Sequence, residues 1–138
     1  VPEEIKEKKT SININGYNYI GVIYIPSLDN LAIPVLENYT QENLKVSVCK
    51  YSGGIEEGNF TIAGHNYKSS FGKLSKLSVG NIAYFKDVNG MVYKYTCTKI
   101  EILSPNQVEE MITGDWDLTL FTCTYNNANR LAYRFELI

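Results

Sequence analysis

The sequence predicts a mainly β protein, a closed or nearly closed antiparallel barrel with one or two short helices. Its 138 residues contain seven or eight short runs in which apolar and polar residues alternate, and turn residues separate these runs. Eleven tyrosines, together with many Ile, Val and Thr residues, favour strands. Segments with helical spacing are short and no internal repeat is visible. Many short strands in this arrangement are typical of a barrel.

Composition places the chain among soluble globular proteins of one domain. It is 44% hydrophobic and 20% charged, with a formal net charge of -2, so nothing attracts it generally to nucleic acid or to an anionic membrane. The longest apolar run, residues 19–26, is much shorter than the roughly 20 residues that span a bilayer. We therefore expect no nucleic-acid partner and no membrane-spanning segment within this sequence.

The first half of the chain predicts strands after a polar start. Residues 1–10 are charged and aperiodic, so we interpret them as a tail or linker and residues 11–138 as one domain. Residues 11–26 alternate, with Gly16 as a break. In "AIPVL", Pro34 favours an edge position because proline lacks the N–H that a central strand donates. Residues 43–51 alternate cleanly and predict a strand throughout.

The second half predicts a hairpin, two short helices and two closing strands. A short strand leads to His65, and residues 69–78 have helical spacing. Residues 81–103 form two alternating runs around Asn89-Gly90, which predicts a hairpin with a type I′ turn. Residues 104–112 predict a helix with Ser104 as N-cap. "DLTLFTC" and "RLAYRFELI" read as the last strands.

His65 is the single histidine of the chain. A lone histidine is most often structural or exposed, and that alternative stays open here. Its place at the end of a strand would let a rigid sheet hold the imidazole, and Gly64 would leave room beside it for the backbone of a ligand. Both features make His65 a candidate for acid–base chemistry.

Cys123 is the candidate nucleophile among three cysteines. Cys49 and Cys97 fit small buried hydrophobic residues, and the three positions lack the spacing of a zinc site or a disulfide framework. Cys123 differs because it ends a strand just before a polar bend. A neighbouring imidazolium or guanidinium would favour its thiolate. A core cysteine is the alternative.

Arg130 follows Cys123 by seven residues and opens the last strand. A guanidinium does not give up its proton at neutral pH, so its role would be to hold a carbonyl and to stabilise an oxyanion. Arg134 shares the same strand face and is the weaker candidate. Two solvated arginines are the alternative interpretation.

Acidic pairs raise the question of calcium. Surface charge is the commoner reason for such pairs, and no phosphate loop or metal-ligand cluster is visible in the sequence. We therefore predict no metal and no cofactor, with calcium as the alternative. The acids concerned are Glu56, Glu57, Glu109 and Glu110.

Taken together, these motifs resemble those of the sortases, cysteine transpeptidases of Gram-positive surfaces. The likeness rests on "TIAGHN", then "FGKLSKLSVGNIAYF", then "LTLFTC", then an arginine that opens the final strand. "TLFTC" matches the TLxTC motif of the family, and the similarity runs from about residue 17 to the C-terminus.

The resemblance implies an eight-stranded sortase-type barrel and a thioester mechanism. Cys123 would attack an LPXTG-type sorting signal, and an amine of the cell-wall precursor or a pilin lysine would resolve the acyl-enzyme. His65 would act as general acid and then as base, while Arg130 would position the substrate and stabilise the oxyanion. The residues expected to bind substrate are Ala63, Thr119, Phe121 and Thr122.

Departures from the family pattern bear on class and location. Residues 104–117 are too few for the long insertion of class B, and the N-terminal tail lacks the Asp-Pro-aromatic lid motif of many pilin-polymerising enzymes. Classes A, D and E remain, and the short connection from Cys123 to Arg130 favours class D. Ile33 stands where some class A enzymes carry an acidic residue for calcium. The resemblance also implies an extracytoplasmic location and a membrane anchor N-terminal to this sequence.

Two other functions remain open at this level. A cysteine hydrolase would use the same three groups but would release the acyl group to water. A catalytically silent barrel would bind peptides through its tyrosine-rich surface.

Overall fold

The structure, a computed structural model, describes residues 9–65, 70–123 and 128–138, except for the side chain of Cys123. Its strands are β1 (Ile12–Ile14), β2 (Tyr17–Ile25), β3 (Leu31–Leu36), β4 (Val48–Gly54), β5 (Gly58–Ala63), β6 (Ile82–Asp87), β7 (Val92–Leu103), β8 (Leu118–Cys123) and β9 (Arg130–Leu137). Its helices are α1 (Gln41–Leu44), α2 (Val108–Ile112) and a 3₁₀ helix (Phe71–Lys76).

Eight of the strands close into a barrel. The strand order is β1-β2-β3-β4-β5-β8-β9-β7-β6, and pairing of β2 with β6 closes the sheet. β1 is an additional strand that forms a hairpin with the start of β2. The eight-stranded barrel with short helices is therefore confirmed. The expectation of a wholly antiparallel sheet is wrong, because β3–β4 and β5–β8 pair in parallel.

Two hydrophobic clusters occupy the two faces of the sheet. Because side chains alternate along a strand, Leu118 and Leu120 of β8 enter the main core, which the 3₁₀ helix also joins through Phe71. Phe121 belongs to a second cluster, which α1 and α2 cover on the other face. We call it the outer cluster; its buried members are Leu36, Leu44, Cys49, Ala63, Leu103, Met111, Phe121 and Ala132.

The segment 43–47 is not the strand that its alternation predicted. Leu44 ends helix α1, and β4 begins only at Val48. The Thr40 hydroxyl accepts a hydrogen bond from the backbone N of Asn43, with 2.9 Å between N and Oγ1. This N-cap satisfies a free N–H of the first turn and starts the helix. Apolar and polar residues do alternate in this segment, but the Thr40 N-cap favours a helix over a strand.

The β6–β7 hairpin is confirmed, but its turn is not type I′. Gly90 has φ of +86°, whereas Asn89 is absent from the residues with positive φ. The Asp87 carboxylate accepts hydrogen bonds from the backbone N of Asn89 (2.9 Å) and of Met91 (3.0 Å). The backbone N of Gly90 also donates to the Asp87 carbonyl. Such bonds favour a type I turn followed by a left-handed glycine.

Helix α2 begins later than the sequence indicated. Gln107 is the N-cap, and Ser104 lies in a preceding turn. The backbone N of Ser104 donates to Oε1 of Gln107 at 2.8 Å, and the backbone N of Gln107 donates to the Ser104 carbonyl at 3.0 Å. These reciprocal bonds hold the segment as a turn, so only the last residues of the predicted helix are helical.

The edge position predicted for Pro34 is wrong. β3 lies between β2 and β4, and Pro34 stands opposite Val22 of β2. Only Val35 and Leu36 of β3 pair with β4, so the missing N–H of Pro34 removes no bond from that parallel ladder.

Most of the predicted tail, residues 1–8, lies outside the described residues. Lys9 is described, and its backbone exchanges two hydrogen bonds with the Asn89 side chain. Within the described ranges, no helix is long and apolar enough to cross a membrane.

Candidate active site

Three neighbouring strands bring the candidate catalytic residues to one level of the barrel. β5 and β8 run parallel with Ala63 opposite Phe121. His65 lies two residues after Ala63 and Cys123 lies two residues after Phe121, so the two are at the same level. β8 and β9 run antiparallel, and the Cα atoms of Cys123 and Arg130 are direct partners. The sheet therefore brings together His65 and Cys123, which are 58 positions apart (123 − 65), and Cys123 and Arg130, which are seven apart (130 − 123).

Arg130 is half-buried at the start of β9, and its guanidinium lies over an aromatic ring. The distance from the guanidinium carbon of Arg130 to the centre of the Phe121 ring is 5.5 Å, within the range of a cation–π contact. The short bend did not prevent this approach, because pairing of β9 with β8 fixes the position of Arg130.

His65 lies two residues after the end of β5, and backbone hydrogen bonds hold the chain on both sides of it. The backbone N of Gly64 donates to the Phe121 carbonyl at 3.1 Å, which extends the β5–β8 ladder by one residue. The His65 carbonyl accepts from the backbone N of Phe71 at 2.9 Å. Because both anchors belong to the folded barrel, they hold the backbone that carries the imidazole.

Gly64 is required for close packing beside His65. A Cβ atom at this position would lie 2.6 Å from Cδ2 of Phe71 and 2.7 Å from Cγ1 of Val48. The absence of a side chain at Gly64 therefore lets two core side chains pack there. Gly64 also lines the small cleft beside His65, so the expectation that it leaves room for a ligand backbone stays a prediction.

A small cleft of about 90 Å³ opens beside these residues. Its walls include His65, Arg130, Phe121 and Ala63, and α1 with its preceding loop contributes Tyr39, Gln41 and Leu44. A larger apolar groove of about 430 Å³ lies along β1, β2 and β6 and touches none of the candidate catalytic residues. The candidate catalytic residues and this apolar groove therefore lie at different places on the molecule.

The four residues expected to bind substrate occupy different environments. Ala63 and Phe121 both line the cleft, although each is largely buried in the outer cluster. Thr119 is 0% exposed, and its hydroxyl accepts a hydrogen bond from Nη1 of Arg134 at 3.1 Å. Thr122 is 4% exposed, and in the described part of the chain its Oγ1 has no hydrogen-bond partner. The structure thus brings Ala63 and Phe121 to the cleft, but not Thr119.

Arg134 is buried away from the cleft. It is 1% exposed, and Nε lies 2.9 Å from Oε2 of Glu101. Nη1 and Nη2 donate to the backbone carbonyls of Met111 and Glu110, each at 2.7 Å. These contacts join β9 to β7 and α2. Arg134 therefore supports the fold, which explains why it is the weaker candidate for the reaction.

Sequence reasoning missed the contribution of the segment 37–44. Tyr39 meets Tyr51 of β4 edge to face with ring centres 4.8 Å apart, and Tyr51 meets Phe121 in the same way at 5.1 Å. The N-cap Thr40 was the signal that could have revealed α1 beside the cleft. The aromatic contacts join residues distant in sequence, so no local pattern predicts them.

The two described thiols are poorly suited to nucleophilic chemistry. Burial raises the pKa of Cys49 from its ordinary value of 9.0 to about 11, with a smaller opposing effect from a backbone hydrogen bond. Burial raises the pKa of Cys97 to about 11 in the same way. Neither thiol is accessible, so both would remain protonated at neutral pH. The side chain of Cys123 lies outside what the structure describes.

The acidic pairs considered for calcium do not form a ligand set. Across the described ranges, no group of three or more His, Cys, Asp or Glu side chains is placed to share a metal ion. Glu56 and Glu57 follow β4, whereas Glu109 and Glu110 lie on α2.

Comparison with known families agrees with this geometry. The model of the Sortase domain family matches residues 23–137, which includes all three candidate catalytic residues and most of the barrel. The chain belongs to the sortase family. Sortases are transpeptidases as a family, so this sortase is a transpeptidase in that general sense.

Solved structures of other sortases share its fold. Sortase C1 of Streptococcus agalactiae is 28% identical with a TM-score of 0.76, and the match covers 87% of this chain and 69% of that one. Sortase C of Streptococcus pneumoniae is 25% identical with a TM-score of 0.77, covering 100% and 77%.

A more distant structure agrees in fold alone. Sortase A of Corynebacterium diphtheriae is 21% identical with a TM-score of 0.78, and the match covers 88% of this chain and 61% of that one. The comparison with curated proteins finds no match. The similar structures thus include sortases named A and C, while the predicted resemblance to class D stays a prediction.

Proposed function

We propose that this sortase cleaves an LPXTG-like sorting signal through a thioester on Cys123 and transfers the acyl group to an amine. The observation that carries the proposal is the common level of His65 just beyond β5, Cys123 at the end of β8 and Arg130 at the start of β9. A nucleophile, an acid–base group and a fixed cation at one place are what acyl transfer requires.

In the first half-reaction, the Cys123 thiolate attacks the carbonyl carbon of the scissile peptide bond. A C–S bond forms, and the oxyanion of the tetrahedral intermediate is stabilised by the Arg130 guanidinium. The C–N bond then breaks, and His65 gives a proton to the leaving amine. The product of this half-reaction is a thioester acyl-enzyme.

In the second half-reaction, an incoming amine attacks the thioester carbonyl. His65 takes a proton from this amine, the C–S bond breaks, and Cys123 returns to the thiolate. The acceptor would be an amine of a cell-wall precursor or a pilin lysine. Sortase C of Streptococcus pneumoniae, one of the similar structures, is described in terms of pilin substrate specificity, which supports keeping the pilin acceptor. The place of action would be the extracytoplasmic face of the membrane.

The test is a peptide reaction followed by mass spectrometry. We expect a library of LPXTG-type peptides to yield an acyl-enzyme with the wild-type protein and, with added triglycine, a ligated product. Cys123→Ala should give neither species, because the attacking sulfur is gone. Cys97→Ala is the matched control and should retain both, since that thiol is buried in the barrel.

Three outcomes would contradict the proposal. Hydrolysis that added triglycine leaves unchanged would favour the cysteine hydrolase. Absence of any acyl-enzyme across the library would favour the silent peptide-binding barrel. Turnover by Cys123→Ala would show that the nucleophile is another residue.

A further inference from the structure

We propose that Phe121 is a positioning residue, which holds the Arg130 guanidinium at the oxyanion through a cation–π contact. The inference rests on the proposed function, because it assigns Arg130 to the oxyanion. It changes the role of Phe121 from a peptide-contacting residue to a support for a catalytic cation. The carrying observation is the 5.5 Å approach of the guanidinium carbon to the ring centre.

The register of β8 and β9 explains why this contact forms. Arg130 stands opposite Cys123, and Phe121 is its diagonal neighbour on β8. The residue directly opposite Phe121 is Ala132, which is fully buried and has only a methyl group. Diagonal neighbours in an antiparallel pair are within reach of aromatic and long side chains. The small side chain of Ala132 leaves the face of the Phe121 ring open to Arg130.

The ring itself is fixed by neighbours on other elements. Tyr51 of β4 packs against Phe121 edge to face, with planes 87° apart, and Tyr39 packs against Tyr51 with planes 81° apart. Phe121 is only 3% exposed. A ring that is covered this completely offers little surface to a peptide, but it offers a rigid platform to one cation.

Charged groups do not provide a competing restraint within the described ranges. The ion pairs there join Lys45 to Glu42, Lys73 to Asp29, and Lys99 and Arg134 to Glu101. None of them involves Arg130. A carboxylate beside Arg130 would neutralise its charge and weaken its effect on an oxyanion, whereas an aromatic face fixes the guanidinium and leaves its N–H donors available.

The distinguishing experiment is a double-mutant cycle on the transfer reaction. Phe121→Leu keeps an apolar side chain but removes the ring face, and we expect kcat to fall on the order of tenfold with KM little changed. Phe121→Tyr keeps the ring face and should restore most of kcat. In an Arg130→Ala background, Phe121→Leu should have little further effect, because the group it positions is absent.

A second readout does not depend on turnover. The Nε–H signal of Arg130 in an NMR spectrum, identified by its loss in Arg130→Lys, should lie upfield in the wild-type protein because of the ring current. It should move downfield in Phe121→Leu. Phe85→Leu is the matched control: Phe85 makes a similar edge-to-face contact with Phe60 at 5.0 Å, inside the barrel. This control should leave both kcat and the Arg130 signal near their wild-type values.

The outcomes separate the two proposals. If the wild-type protein forms no acyl-enzyme, the proposed function falls and this inference falls with it. If transfer occurs but the two substitutions are additive in the cycle, Phe121 acts independently of Arg130, and only the positioning role is overturned. An Arg130 signal that is the same in wild type and Phe121→Leu would overturn it as well.

Discussion

Arg130 and Arg134 lie on the same face of β9, yet their surroundings differ. Arg130 reaches the cleft beside His65, whereas Arg134 is enclosed by α2, Glu101 and Thr119. A catalytic cation must keep donors free for a developing charge. The N–H groups of Arg134 donate to acceptors within the protein instead. Burial and hydrogen bonding therefore distinguish two arginines of the same strand face.

At the residue scale, we expect Arg130→Ala to lower kcat/KM for peptide transfer by about 10²–10³-fold. That loss corresponds to roughly 2.7–4 kcal/mol in the barrier, the effect of removing one oxyanion donor. Arg130→Lys should recover only part of the rate, because an ammonium lacks the planar fork. Steady-state kinetics with a fluorogenic sorting peptide checks this, and transfer by Arg130→Ala close to the wild-type rate would contradict it.

At the element scale, Arg134 attaches α2 to the barrel. The carbonyls of Glu110 and Met111 are near the C-terminal end of α2, where a helix leaves acceptors without intrahelical partners. Arg134 satisfies both, and its guanidinium also lies 5.7 Å from the centre of the Trp116 ring, in the segment that leads to β8. The Arg134 side chain therefore holds the connection between β7 and β8, the strand that ends at Cys123.

We expect Arg134→Met to lower the free energy of unfolding by about 2–3 kcal/mol, because buried acceptors and the Glu101 carboxylate lose their donor. Urea denaturation measures this change. Lys99→Met is the matched control, since Lys99 is exposed although it also contacts Glu101 and Trp116; a surface pair of this kind should contribute less than about 1 kcal/mol. Equal losses in the two variants would show that α2 does not depend on Arg134.

At the scale of the whole molecule, the two buried thiols couple stability to alkaline pH. The folded protein holds the protons of Cys49 and Cys97 more tightly than the unfolded chain, because burial raises each pKa from 9.0 to about 11. The stabilisation is complete below pH 9 and is lost as the pH rises through about 11. Unfolding exposes the thiols and releases those protons.

We therefore expect the free energy of unfolding to fall between pH 8 and pH 11, and to fall by about 2 kcal/mol less in Cys97→Ala than in the wild type. Urea denaturation under reducing conditions at both pH values checks the difference. The comparison uses the change with pH within each protein, so the packing loss in Cys97→Ala cancels. Identical pH dependence in both proteins would show that Cys97 does not titrate between them.

The chain alone predicted much of the fold and the identity of the candidate site. Alternation located most strands, and Asn89-Gly90 located a hairpin, because these signals act between near neighbours. The order His65, Cys123, Arg130 together with the TLFTC motif indicated the family. Local competition explains the errors: the Thr40 cap changed a predicted strand into α1, and the Asp87 carboxylate changed the turn type.

Only the tertiary structure decided how these pieces meet. Parallel pairing of β5 with β8 sets His65 level with Cys123, and pairing of β2 with β6 closes the barrel. The burial of Arg134 and the contact of Arg130 with Phe121 also depend on neighbours from distant parts of the chain. The physical reason is that alternation and capping act within a few residues, whereas register, burial and charge environment arise from contacts that form only when the sheet is assembled.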